Sequence, residues 1–265
     1  MKRIGLIASA TWRASRHQRV FALTLIAALL LVAGTLWLRP FNFGSSELKF
    51  VADLGLGILS LGGAFLAVGV TVQVFFDATE NRTLHLVLTH GVRRGEFILG
   101  QLGGVVLLLG AFTLPVLALL WSLLWVRETA LLADAAGLLD GERMLRPGGV
   151  LVAGMALWLK ACVLAAAVLW LCTFAGSRLF ALGTGFLLFV VFHAHPMLVL
   201  PGESAGAVAT VLGWLLRLLP DFTAFDAAAA FYGDGRDPVR MTGYAIVYVA
   251  AFSWLAARQL HQREL

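Results

Sequence analysis

Residues 97 to 126 read FILGQLGGVVLLLGAFTLPVLALLWSLLWV, without one formally charged side chain. A hydrocarbon core of about 30 Å takes roughly 20 helical residues to cross, so this run is long enough with several to spare. The rest of the chain has the same character. Of its 265 residues 60% are hydrophobic and 13% charged, and the mean hydropathy is +0.88. Soluble domains run nearer half apolar and a quarter charged. Inside lipid only helices or closed barrels satisfy the backbone, and these runs are continuous, not alternating as barrel strands are. The reading is an all-α, polytopic membrane protein with one transmembrane domain over residues 1–265.

Working outward from 97–126, six spans are expected, near 20–38, 52–76, 97–126, 150–175, 179–200 and 241–257. Pro115 marks a kink in the third. Residues 127–149 read as a loop. Within 201–240 the apolar stretch 204–232 is broken by Arg217, Pro220, Asp221 and Asp226, which suits a re-entrant or interfacial segment better than a span.

Basic residues set the orientation. Lys2, Arg3, Arg13, Arg16 and Arg19 precede the first span with no acid among them. Both termini are therefore expected on the cytoplasmic side, with 77–96 on that side and 127–149 and 201–240 outside. Arg39-Pro40 follows the first apolar run without a small-residue cleavage box, which favours an uncleaved helix over a signal peptide. Residues 1–19 place Ile4, Ile7, Ala8 and Trp12 on one helical face and Arg13, Arg16 and His17 near the other. An amphipathic elbow lying on the interface and a plain basic anchor both fit.

Several chemistries are excluded outright. The three lysines are followed by Arg3, Phe50 and Ala161, so no GxxxxGK[ST] phosphate loop exists. HExxH and GxSxG are absent too, and no enzyme activity is expected. His193 and His195 are the metal or haem candidates, but without a third ligand nearby structural histidines are favoured. Cys162 and Cys172 fall on different faces of one span and form no redox pair. Lys160 is the one formal charge well inside a span. It is either a functional intramembrane charge or, as the spacing favours, a side chain snorkelling to the outer interface. Gly100 and Gly104 form a GxxxG step that permits close helix approach.

The polar interruption before the third span reads ENRTLHLVLTHGVRRGEFILG, residues 80–100. A short helix over 80–89, N-capped by Thr79 and stopped at Gly91, aligns Leu84 and Leu88, with Arg82 and His85 beside them. Arg93, Arg94 and Glu96 then lead into the span. Physics alone leaves two readings open: a helix that docks in a groove on a soluble partner, or a loop helix on the headgroups.

The run FDATENRTLHLVLTHGVRRGEFILGQLGG resembles the signature of ABC-2-type transporter permeases. Glu80, Thr83, Leu84, Leu86, Leu88, Arg93, Glu96, Phe97 and Gly100 stand at matching positions. Arg82 stands where the family often has glycine, His90-Gly91 replaces a proline-bearing turn, and Gln101 replaces a lysine. The N-terminal segment resembles the family's elbow helix, and LPDFTAFD at 219–226 is similar to a motif between its last two spans.

The resemblance implies a permease subunit of an exporter in a bacterial inner membrane. It also implies pairing with a second copy and with a cytoplasmic ATPase chain that binds ATP and magnesium, this chain itself needing no cofactor and no nucleic acid. Coupling would fall to Glu80, Arg82, Thr83, Leu84, Leu88, Arg93, Arg94 and Glu96. Two rivals from other classes are a non-transporting membrane scaffold and an intramembrane metal or haem protein built on His193 and His195.

Overall fold

The computed structural model describes residues 2–35, 47–80, 92–134, 147–198, 218–232 and 237–262. Eight α-helices occur among them: α1 (Lys2–Arg16), α2 (Arg19–Gly34), α3 (Glu47–Glu80), α4 (Arg94–Asp134), α5 (Pro147–Cys172), α6 (Arg178–Leu198), α7 (Ala227–Tyr232) and α8 (Pro238–Gln262). A 3-10 turn, Phe222–Phe225, precedes α7. No strand occurs among the described residues.

Five of these helices are long and apolar enough to cross a membrane, over Leu48–Glu80, Arg94–Ala130, Gly148–Cys172, Arg178–His195 and Pro238–Leu260. The chain is a multi-pass membrane protein. The expected first span is met by α2, which at 16 residues falls short of the roughly 20 a crossing needs. With α1 it forms a pair bent by 65°, and the count rises to six if that pair is one crossing.

The centre of the bundle is α5. From Ala161 to Leu169 every side chain is buried, as a helix apolar on all sides requires. It packs on α3, α4, α6, α7, α8 and the 3-10 turn. Its small residues explain the crowding: alanine at 161, 165, 166 and 167 lets neighbouring helices close in without driving side chains from their rotamers. By contrast α6 and α8 bury little of their length and turn large apolar side chains outward, among them Leu187, Val190, Val247 and Trp254.

Three sequence boundaries are corrected. The second span does not end near residue 76: α3 runs on to Glu80. Thr79 is inside that helix, its hydroxyl donating to the Phe75 carbonyl at 3.0 Å, so it is not the N-cap of a new helix. The loop expected from residue 127 begins later, because α4 continues through Asp134. Arg127 is buried there and donates to the Thr35 carbonyl at 3.0 Å, satisfying an acceptor at the end of α2 that has no partner within its own helix. The helix is continuous through Pro115.

The GxxxG step has a clear occupant. A Cβ placed on Gly100 would meet the Ile7 side chain at 2.6 Å, and one on Gly104 would meet Thr11 at 2.5 Å and the Ala8 carbonyl at 2.9 Å. So Gly100 and Gly104 seat α1 against the start of α4, on the face carrying Ile4, Ile7, Ala8 and Thr11, while Arg13 and Arg16 remain exposed.

This contact can be tested directly. A Cβ on Gly103 would stand 3.4 Å from that of Ala8, close to disulfide range. An A8C/G103C pair should therefore cross-link under mild oxidation, and adding Gly104→Leu should abolish the cross-link and lower stability by about 1–3 kcal/mol. An undiminished cross-link in the triple variant would show that α1 docks elsewhere.

Candidate functional site

Two places gather the polar groups. The first is the end of the bundle where α3 finishes and α4 begins, called here the junction end. Arg178, opening α6, reaches Asp77 Oδ1 at 2.7 Å and Glu80 Oε2 at 3.0 Å on the last turn of α3. The three side chains are between 37% and 61% exposed, so the clamp sets geometry and adds little stability. On the far side Glu96 Oε2 accepts the Arg93 backbone N–H at 3.0 Å. This is half of a capping box, and it starts α4 at Arg94. The Arg94 guanidinium donates to the Leu260 carbonyl, in the last turn of α8, where backbone acceptors lack partners.

Of the residues expected to dock a partner, Glu80, Arg93, Arg94 and Glu96 thus sit on the flanks of this end. Arg82, Thr83, Leu84 and Leu88 lie outside the described residues. Arg178 was not among the expected site residues. The signal that would have found its role is the pair of acids at 77 and 80, opposite a lone arginine at another span end. Gln101, where the resemblance expects lysine, is buried, and its amide stands 3.5 Å from the Val74 carbonyl of α3.

The second place surrounds Lys160, midway along α5. Lys160 does not snorkel: only 8% of it is exposed. Its ammonium donates to Ser60 Oγ at 3.2 Å and lies 3.3 Å from His193 Nδ1. The Phe222 and Phe189 ring centroids are 5.1 Å and 5.9 Å away, so aromatic faces supply part of the compensation that water would give. Among the described residues no carboxylate forms an ion pair with it. The Asp226 carboxylate attracts it through space.

What covers Lys160 is the segment 218–232, which packs on α5 and α6 and buries Phe222, Phe225 and Phe231. Asp221 shapes its first turn, accepting from the Thr223 backbone at 2.8 Å and the Thr223 hydroxyl at 2.6 Å. Asp226 caps α7 by accepting from Ala228 and Ala229, both at 3.1 Å. Tyr244 of α8 fastens the segment, its hydroxyl accepting the Asp221 backbone N–H at 2.8 Å. So the two acids that break the apolar pattern build local turns in a segment packed on the bundle.

The paired histidines part company. Helix α6 runs through Pro196. His193 meets Lys160, whereas His195 Nδ1 stands 4.0 Å from Asp221 Oδ1. They do not converge on one point, and no group of three or more histidine, cysteine, aspartate or glutamate side chains gathers among the described residues. Cys162 and Cys172 are both buried and unbridged. Ser60, Phe222 and Tyr244 were not foreseen, since each becomes significant only through a neighbouring helix.

No protein-family model matches this chain, and no curated protein matches it either.

Two outcomes follow from this geometry. Burying an ammonium away from any paired carboxylate is costly, so Lys160→Met should leave the thermal midpoint of the detergent-purified protein unchanged or higher. A fall of about 4 °C, roughly 1 kcal/mol or more in a chain this size, would mean that its contacts outweigh its desolvation. Tyr244→Phe strands the Asp221 N–H, a loss of about 1–3 kcal/mol. Hydrogen exchange at the amides of residues 221–229 should then accelerate by about tenfold or more. Unchanged exchange there would show that Tyr244 does not hold the segment.

Proposed function

We propose that this chain is the membrane-spanning permease subunit of an ATP-driven transporter, working as an exporter with a separate ATPase chain and a second permease copy. The observation that supports the reading most is the construction of the junction end. There Arg178 ties the start of α6 to the end of α3, and Arg94 ties the start of α4, capped by Glu96, to the end of α8. The stretch 81–91 enters from α3 and leaves into α4. A push on it acts on long rigid helices at their ends, which is how a soluble motor moves a membrane part. With no phosphate-binding loop in the sequence, ATP and its magnesium fall to the partner.

In this reading the junction end faces the cytoplasm of a bacterial inner membrane, as the five basic residues up to Arg19 at the start of α2 favour. The bent pair α1–α2 supplies the elbow and the first of six crossings, and the coupling helix follows α3 within residues 81–90. Segment 218–232 is the re-entrant piece at the opposite, outer end. Leu84 and Leu88 make the apolar contact with the ATPase, and Arg82, Arg93 and Arg94 its charged rim. The scaffold alternative predicts no ATPase partner at all.

The test pairs this chain with the neighbouring-gene product that carries GxxxxGK[ST]. The two should co-purify from membranes. Leu84→Asp combined with Arg93→Glu should reduce the captured ATPase by about tenfold, on the order of the 1–3 kcal/mol expected for losing an apolar anchor and a charge contact, while membrane insertion stays normal. Equal capture by the double variant would refute this docking surface, and absence of capture by the native chain would favour the scaffold.

A further inference from the structure

Arg93, Arg94 and Arg258 meet in one groove of about 800 Å³ between the start of α4 and the last turns of α8, lined also by Val92, Glu96 and Trp254. Arg258 comes from α8 and lies over the Trp254 ring, 5.4 Å from its centroid. The acid in the lining, Glu96, is already turned to the Arg93 backbone N–H. Among the described residues neither Arg93 nor Arg258 forms an ion pair. The groove therefore holds an excess of guanidinium, whose planar forks suit phosphate oxygens.

An apolar track leads away from it. Val247, Ala251, Trp254 and Arg258 share one face of α8, at spacings of four, three and four residues, and all four are exposed. From Arg258 back to Val247 the helix rises about 16 Å at 1.5 Å per residue. One leaflet of hydrocarbon is about 15 Å deep, half of a core of about 30 Å. The arginines close two helices that are apolar enough to span, so the groove lies at headgroup level, and Trp254 sits where interfacial aromatics are favoured.

We infer that this groove is a binding site for an anionic phospholipid, its phosphate held by Arg93, Arg94 and Arg258 and an acyl chain laid along Trp254, Ala251 and Val247. Basic pockets between spanning helices take anionic headgroups in this way. Arg94 is fixed by the Leu260 carbonyl and so holds α4 and α8 at the spacing the headgroup needs. The site stands whether or not an ATPase drives the chain.

The test uses the full-length protein, delipidated in a mild non-ionic detergent, with equimolar phosphatidylglycerol and phosphatidylcholine, and counts bound lipids by native mass spectrometry. The native chain should favour phosphatidylglycerol by about tenfold or more, since each interfacial basic residue adds to the attraction. Arg93→Gln with Arg258→Gln should erase the preference and leave phosphatidylcholine binding unchanged. Arg3→Gln with Arg13→Gln, removing equal charge on α1, should keep it, and the conservative R93K/R258K should retain most of it even if the glutamine pair folds poorly. No preference in the native chain, or a preference surviving in R93Q/R258Q, overturns the site. Displacement of the lipid by millimolar inorganic phosphate would instead mark a pocket for free anions and overturn the lipid as its occupant. Arg258→Gln alone leaves the proposed ATPase-docking residues intact, so its capture of the ATPase separates a failure here from a failure of the transport reading.

Discussion

The arrangement depends on a helix that has no outside. Residues 161–169 of α5 are buried on every side, and in a membrane such burial gains little from expelling water, because lipid tails are as apolar as the side chains. What holds helices around α5 is close packing, which small residues permit. The alanines at 161, 165, 166 and 167 let α3, α4, α6 and α8 approach together. A larger side chain at any of them would have to displace a whole helix, since a packed interior transmits strain instead of absorbing it.

The same crowding explains the treatment of Lys160. A charge in the middle of a central helix has no path to the interface that avoids other helices, so the chain brings polar and aromatic groups to the charge. Ser60 comes from α3, His193 and Phe189 from α6, and Phe222 from the segment folded in from residue 218. Each is a modest partner. Together they make a site that is tolerated without being strongly bound, and intramembrane charges kept on such terms are ordinarily kept for function.

The fold class was legible because apolar run length is a one-dimensional property that lipid imposes directly. Boundaries were less so. The sequence reading ended the second span near residue 76 because Asp77 and Glu80 are acidic, yet both remain helical with Arg178 within reach. Arg127 likewise looked like the start of a loop until Thr35 proved to be its acceptor. The same limit governs the sites. Gly100 and Gly104 were read correctly as a close approach, since their spacing alone defines it, but only packing names α1 as the visitor. Lys160 was taken to snorkel because a single helix shows how far an end lies, never what stands between.

The two polar places are joined by shared helices. Helix α3 carries Asp77 and Glu80 at the junction end and Ser60 beside Lys160. Helix α6 carries Arg178 at the one and His193 at the other. At 1.5 Å per residue the separations are about 26 Å along α3 and about 22 Å along α6, nearly the same length of rod. Helices with intact internal hydrogen bonds do not stretch over such distances, so a relative tilt of α3 and α6 at one end must appear at the other. Both ends are fastened by contacts that remake easily: a half-exposed ion pair of small net strength, and an ammonium among a hydroxyl, an imidazole and aromatic faces. Between them lies the tight packing on α5. The bundle is thus packed most tightly between its two polar places and held lightly at each of them.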